Sequence, residues 1–275
     1  METLLDPATL AAYHADGAAV LRGVLPPDWV PRLRAAIDRT LARPTVNGLE
    51  FAAPGKGRFY GDYFQWLTDP DVKALVFDSP LPALARQLMG SRQVRFFYDQ
   101  LLVKEPGTAR RTPWHHDIPY WPIRGEQVVS LWVPFDRATP ETGVVTYVKG
   151  SHRWGQWFRP ATFTEQTSYD RIYATGGLPP LPDIDAEAAR HDFLTWEVAP
   201  GDVIAHHALT IHGAPGNASA TQRRRAIALR YCGDDVVWDP RPGTFLESPG
   251  LRERLPPVDL KPGDPLDGPL FPRVL

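Results

Sequence analysis

The chain has 275 residues, a formal net charge of −2 and 43% hydrophobic residues, enough for one large domain with a sizeable core. That charge and a pI near 6.4 give no basic field for nucleic acid or an anionic membrane surface. The N-terminus has no positive n-region, no stretch approaches the roughly 18 apolar residues of a membrane span, and the sole cysteine, Cys232, excludes an intrachain disulfide. The expectation is a cytoplasmic protein acting on a small molecule, with its oligomeric state open.

In chain order, Asp6 to Asp16 reads as a helix closed by Gly17. Behind Pro26-Pro27-Asp28, Val30, Leu33, Ile37 and Leu41 recur at three- and four-residue spacing, an amphipathic helix. Leu81 to Met89 is another. From Val94 onward the apolar runs are short, β-branched or aromatic, and broken by Pro, Gly and Asp. Val94–Val103, Gln127–Val133, Gly143–Val148, Trp196–Val198, Val203–His207 and Arg224–Cys232 read as strands. Helices ahead of many short strands predict a mainly β sandwich or barrel with a helical buttress. We read one domain: buttress 1–92, β core 93–235 and C-terminal extension 236–275. Cys232 ends an apolar run and reads as a buried, inert thiol. Ala161 to Asp192 is long, lacks periodicity and reads as a substrate cover.

The chemistry concentrates in Trp114-His115-His116-Asp117 and in His212, ninety-five residues after Asp117. His-x-Asp followed by a distant His supplies two imidazoles and one carboxylate, the facial triad of non-haem Fe(II) sites with open positions for oxygen. His14-Ala15-Asp16 has the same spacing but sits on a helix, where residues two apart point about 200° away from each other. His115 and Asp117 need an extended setting. They lie where the loop from Pro106 to Pro113 re-enters a sheet.

Several segments resemble, in order, the phytanoyl-CoA dioxygenase family of Fe(II)/2-oxoglutarate oxygenases. They are Trp114 to Pro122, Leu131-Trp132-Val-Pro-Phe, Gly150-Ser-His152, Gly201-Asp-Val203, His212 to Asn217 and Arg224-Arg-Ala226. The resemblance runs from about residue 10 to Pro272. It implies a double-stranded β-helix, or cupin-like jelly roll, with the triad at one open end. It also implies His115, Asp117 and His212 as iron ligands, with 2-oxoglutarate and O2 at the remaining positions. Arg224 would hold the far carboxylate of 2-oxoglutarate through its planar fork, with Arg223 as the alternative register and Arg225 facing away. Trp132 and Gln100 would border the cosubstrate; for Trp132 the alternative is a core aromatic. The implied reaction decarboxylates 2-oxoglutarate to succinate and CO2 and hydroxylates an unactivated C–H bond. Asp117 fills the place a halide would need, which argues against halogenation.

The pocket walls are expected among Tyr120, Trp121, Phe97, Trp154, Trp157 and Phe158. His116 alternates away from the ligands; His206 and His207 read as satisfied strand histidines, with a place in the cavity as the alternative. His152 belongs to a structural loop, His191 carries no signal, and Asn217 reads as a turn residue. Two competing readings need no 2-oxoglutarate: an isomerase-like metal enzyme of the same barrel class, and a non-catalytic metal- or ligand-binding barrel.

Overall fold

The computed structural model describes residues 4–161, 163, 177–247 and 251–275. Its helices are α1 Pro7–Asp16, α2 Trp29–Ala42, α3 Pro70–Asp78 and α4 Leu81–Met89. Asp6 caps α1 by accepting from Thr9 N at 2.9 Å, Pro7 opens the first turn, and Gly17, at φ +83°, ends it. Asp69 and Pro70 open α3 in the same way, the carboxylate accepting from Asp71 N at 2.9 Å and Val72 N at 3.2 Å. This helix is absent from the sequence expectations. Among the described residues no helix is long and apolar enough to cross a membrane.

The strands ahead of the metal motif are β1 Ala18–Leu21, β2 Leu49–Glu50, β3 Phe59–Tyr63, β4 Arg95–Lys104 and β5 Thr112–His115. Then come β6 Ile123–Arg124, β7 Val128–Pro134, β8 Thr146–Val148, β9 Phe193–Thr195, β10 Val203–His207, β11 His212–Ala214, β12 Arg224–Cys232 and β13 Val237–Trp238. The larger sheet runs β1-β10-β7-β12-β4-β3-β2, the smaller β5-β11-β8-β9, and β13 pairs with β6. All three are antiparallel. The fold is mainly β, a jelly roll with helices against one sheet.

Two sequence expectations change. Residues 1–92 are not purely a helical buttress, because β1 extends one edge of the larger sheet and β2 and β3 the other. These segments carry too little alternation to be read locally and become strands by pairing with β10 and β4. The expected strand at Trp196–Val198 makes only the isolated bridge from Val198 to Ala138, and the paired strand lies earlier, at β9. The C-terminal segment returns to β4: Val94 N donates to Leu275 O at 3.1 Å, and Phe271 is fully buried.

Strand alternation divides the interior. On β12, Ile227, Leu229 and Tyr231 join the core between the larger sheet and the helices, with Leu33, Leu75, Leu84 and Leu88. Ala226 and Ala228 face the space between the sheets, with Trp132, Ile204 and Tyr147. Two alanines in mid-strand leave room there. The cavity that results is the site.

Candidate active site

Register brings the first two ligands together: His212 opens β11 directly opposite His115, the last residue of β5. Asp117 differs from the extended setting expected of it. At φ −75° and ψ −40° it leads into the 3-10 turn Ile118–Tyr120, and its amide donates to Ala208 O at 2.9 Å. One ligand atom from each of His115, Asp117 and His212 lies within 4.8 Å of the others, and all three residues are buried.

Their hydrogen bonds decide which atoms face inward. His115 Nδ1 lies 2.8 Å from Pro113 O and His212 Nδ1 2.9 Å from Thr210 O. A carbonyl can only accept, so each Nδ1 carries a proton and Nε2 is the ring atom left to face a metal. Those atoms stand 3.5 and 3.9 Å from Asp117 Oδ1. Oδ2 accepts from Ser130 Oγ at 3.0 Å and lies 3.4 Å from His206 Nε2. Burial works to raise the Asp117 carboxyl, but His115, His206, His212 and Arg230 around it outweigh burial and hold it well below the usual carboxylate range. Burial, then the fields of His115 and His206, push His212 well below the usual imidazole range. Two imidazole nitrogens and one carboxylate oxygen converge on one point. A divalent cation fits that arrangement.

Arg224 lies in the same cavity wall, 2% exposed. Its Nη1 donates to Leu102 O at 3.1 Å, and its guanidinium lies 5.5 Å from the Trp132 ring centre. Burial pushes its pKa down to about 10, so it stays cationic at neutral pH. Arg224 Nε and Trp132 Nε1 are both buried with no acceptor among the described residues. Two orphaned donors on one wall, one of them cationic, fit a carboxylate. Arg223 points out to Glu105 at 2.8 Å, and Arg225 to Asp136 at 2.9 Å and Asp38 at 3.0 Å. Gln100 also lines the cavity, its amide engaged by Tyr63 Oη at 3.0 Å and by Arg230 Nη2 at 2.9 Å.

The cavity, of about 570 Å³, lies in the range that holds drug-sized ligands. Tyr120 and Trp121 line it. Phe97 does not: it packs in the core against Phe271, ring centres 5.5 Å apart, and Tyr98 takes its place in the wall. Residues 97 and 100 differ by an odd number on one strand and cannot share a face. Trp154, Trp157 and Phe158 also lie outside the lining. Trp154 is 37% exposed, Trp157 stacks under Arg241 at 4.7 Å, and Phe158 N donates to His116 Nε2 at 2.9 Å. Of the expected cover, residues 162 and 164–176 lie outside the described residues; Phe163 lines the cavity.

Sequence reasoning undervalues His206 and misses Ser130 and Arg230. His206 touches both Asp117 and Tyr147, whose Oη is 3.3 Å from His206 Nδ1. His152 stays away from the metal motif, Nε2 donating to His14 O at 3.1 Å. Asn217 holds its turn by donating to Lys104 O at 3.1 Å and Gln222 O at 2.7 Å.

The model of the family described as Phytanoyl-CoA dioxygenase (PhyH) matches residues 13–226. The chain belongs to the phytanoyl-CoA dioxygenase family. The chain is 25% identical over 232 residues to the multifunctional dioxygenase prhA of Penicillium brasilianum, covering 80% of this chain and 69% of that protein. Among solved structures, the non-heme alpha ketoglutarate dependent epimerase SnoN from nogalamycin biosynthesis is 26% identical, with a TM-score of 0.75, and covers 98% of this chain and 100% of that chain. SnoN in complex with Fe3+, alpha ketoglutarate and nogalamycin RO aligns at 25% identity, with a TM-score of 0.74 over 98% of this chain and 100% of that one. As a member of the family, the protein is an Fe(II)- and 2-oxoglutarate-dependent oxygenase that uses O2. Membership sets aside both the metal-only isomerase and the non-catalytic barrel.

Proposed function

We propose that this oxygenase hydroxylates an unactivated C–H bond of a small organic molecule, releasing succinate and CO2, with the whole chain acting as one domain. His115, Asp117 and His212 hold the iron, and Arg224 receives the far carboxylate of 2-oxoglutarate with Trp132 and Gln100 at its border. Bound together, iron, 2-oxoglutarate and O2 supply the oxidant that removes the hydrogen. The chain's own residues orient and enclose. Pro113 O and Thr210 O fix the two imidazole tautomers, Ser130 and His206 occupy one oxygen of Asp117 so that the other faces the metal, and Tyr120 and Trp121 keep water from the reacting carbon.

The observation that carries this reading is the pairing, in one cavity, of three converging acceptors with the buried Nε of a guanidinium and an indole N–H, neither of which has an acceptor among the described residues. Anaerobic titration tests it: Fe(II) and 2-oxoglutarate together should give a weak visible charge-transfer band and raise the melting temperature. Metal binding with no response to 2-oxoglutarate would overturn the cosubstrate site.

The likeness to an epimerase favours a second outcome, in which the substrate carbon regains hydrogen in place of hydroxyl, an external reductant supplying the electrons and the oxygen leaving as water. Turnover under 18O2 separates the two, because succinate takes up label in both but only hydroxylation leaves label in the product derived from the substrate.

A further inference from the structure

We infer that the substrate carries an oxyanion on a flat aromatic ring system, and that Arg230 receives that oxyanion. The inference rests on the metal and cosubstrate reading above and concerns the third occupant of the same cavity.

Arg230 lies six residues beyond Arg224 on β12 and faces the same cavity, 5% exposed. Nη1 donates to Ala228 O at 3.2 Å and Nη2 to Gln100 Oε1 at 2.9 Å. The guanidinium stands 4.6 Å from the Tyr98 ring centre and 5.8 Å from that of Trp121. Nε is buried with no hydrogen-bond acceptor among the described residues, and Asp117 Oδ2, 4.0 Å away, is beyond hydrogen-bond reach. Ser130 already occupies that oxygen. Arg230 is thus fixed in place by two acceptors and presents an unused donor beside the metal position.

The charges of the filled site point the same way. Iron(II) with one carboxylate ligand and dianionic 2-oxoglutarate sums to minus one. Arg224 cancels that charge, and Arg230 then stands as a single uncompensated cation in a desolvated pocket. Such a charge is unfavourable unless an anion meets it with hydrogen bonds. A substrate oxyanion would do so, and the Arg230 fork would orient it.

The walls specify what carries the anion. Phe51, Tyr63, Tyr98, Tyr120, Phe163 and Phe245 all line the cavity. Tyr98 and Phe245 lie 4.7 Å apart between ring centres, and Phe163 lies 4.8 Å from the His115 ring and 5.7 Å from Tyr120. Aromatic faces gain most from a flat ring that can stack on or meet them edge-on. Gln100 and Tyr63 continue the polar line from Arg230 along the wall.

The test uses protein loaded anaerobically with Fe(II) and 2-oxoglutarate, and calorimetric titration with three probes of one shape: 2-naphthoate, 2-naphthamide and decahydronaphthalene-2-carboxylate. 2-Naphthoate should bind about tenfold or more tighter than either of the others, the scale of one charge-assisted hydrogen bond or one aromatic contact set. Arg230→Gln should erase the preference for naphthoate over naphthamide, Arg230→Lys should keep part of it, and both should still give the charge-transfer band with Fe(II) and 2-oxoglutarate before any probe is added. Equal binding of acid and amide to the unaltered protein would overturn the inference without any variant. So would a preference that survives Arg230→Gln, or a loss of 2-oxoglutarate affinity as large as that of Arg224→Ala. A missing charge-transfer band before any probe is added would instead count against the underlying metal and cosubstrate reading.

Discussion

On the outward face of β12, Ile227, Leu229 and Tyr231 are almost completely buried in the apolar core shared with the helices. On its inward face, the same strand presents Arg224, Ala226, Ala228 and Arg230, two cations whose Nε donors are unmatched among the described residues, separated by two of the smallest side chains. One face is satisfied by the fold alone; the other is completed only by what binds to it. Among the described residues, unmet buried donors also occur in the core, at Gln65 Nε2 and Trp66 Nε1; what distinguishes those of β12 is that they share a cavity with three converging metal ligands, and that coincidence marks the site.

The largest effect should come from removing the convergence itself. His115→Ala, Asp117→Ala and His212→Ala should each abolish iron binding and succinate formation while the circular dichroism spectrum stays native. His14→Ala and His152→Ala should retain iron; an iron-free His152→Ala protein alongside an active His212→Ala protein would mean that the distal ligand had been misassigned.

Next comes the cation. Arg224→Ala should weaken 2-oxoglutarate binding by about thirtyfold or more, corresponding to roughly 2–5 kcal/mol for a truncated buried charge contact, with iron affinity little changed. Arg223→Ala, on the solvent side, should do much less. Equal or reversed losses would break the assignment of faces on this strand.

Stability should follow the opposite face. Leu229→Ala should cost roughly 2–5 kcal/mol of folding free energy, read as a lower melting temperature, with the 2-oxoglutarate dissociation constant unchanged. Ala228→Leu should do the converse, filling cavity with little loss of stability and impaired ligand binding. If the two exchanged signatures, the division of the strand would be wrong.

The smallest effect concerns a carboxyl on the outward side of β4. Asp99 is fully buried and accepts from Gln65 N at 2.9 Å and Trp66 N at 3.1 Å. Burial pushes its pKa up to about 7, those two amides acting against the shift. The folded state therefore favours the protonated form. Its contribution to stability is fully present below the ordinary carboxyl range and is lost as pH rises through about 7. Asp99→Asn should flatten that part of the melting-temperature profile, and an unchanged slope would show that Asp99 does not carry it.

Much of this architecture is legible in the order of the amino acids. The ends of α1 follow from Asp6, Pro7 and Gly17, and the span of β12 from its apolar run. The same alternation that separates Arg224 from Arg223 also selects Arg230 by even spacing, and Tyr98 over Phe97 by its step from Gln100. The rule reaches those residues only when it is carried along the full length of each strand. The Asp69-Pro70 start of α3 is likewise a local signal. His206 and Ser130 are different in kind. They meet Asp117 only because β10 pairs with β7, with His206 opposite Ser130, and no local pattern announces a contact between segments so far apart in the chain.

The His212–His115 register has a consequence for how the gene tolerates change. β5 is four residues long and lies at the edge of its sheet, after a loop that runs from the end of β4 at Lys104 to Thr112. The first part of that loop is tied down, Gly107 N donating to Ser219 O at 2.9 Å and Thr108 O accepting from Asn217 N at 2.7 Å, but lengthening it between Thr108 and Thr112 costs chiefly closure entropy, which grows slowly with length. Deleting one residue inside β5 slips the ladder by one and turns His115 to the other face. Length variation is therefore expected to accumulate before Thr112 and to stop there, and a library of insertions across this segment would show a sharp edge in metal binding at that residue.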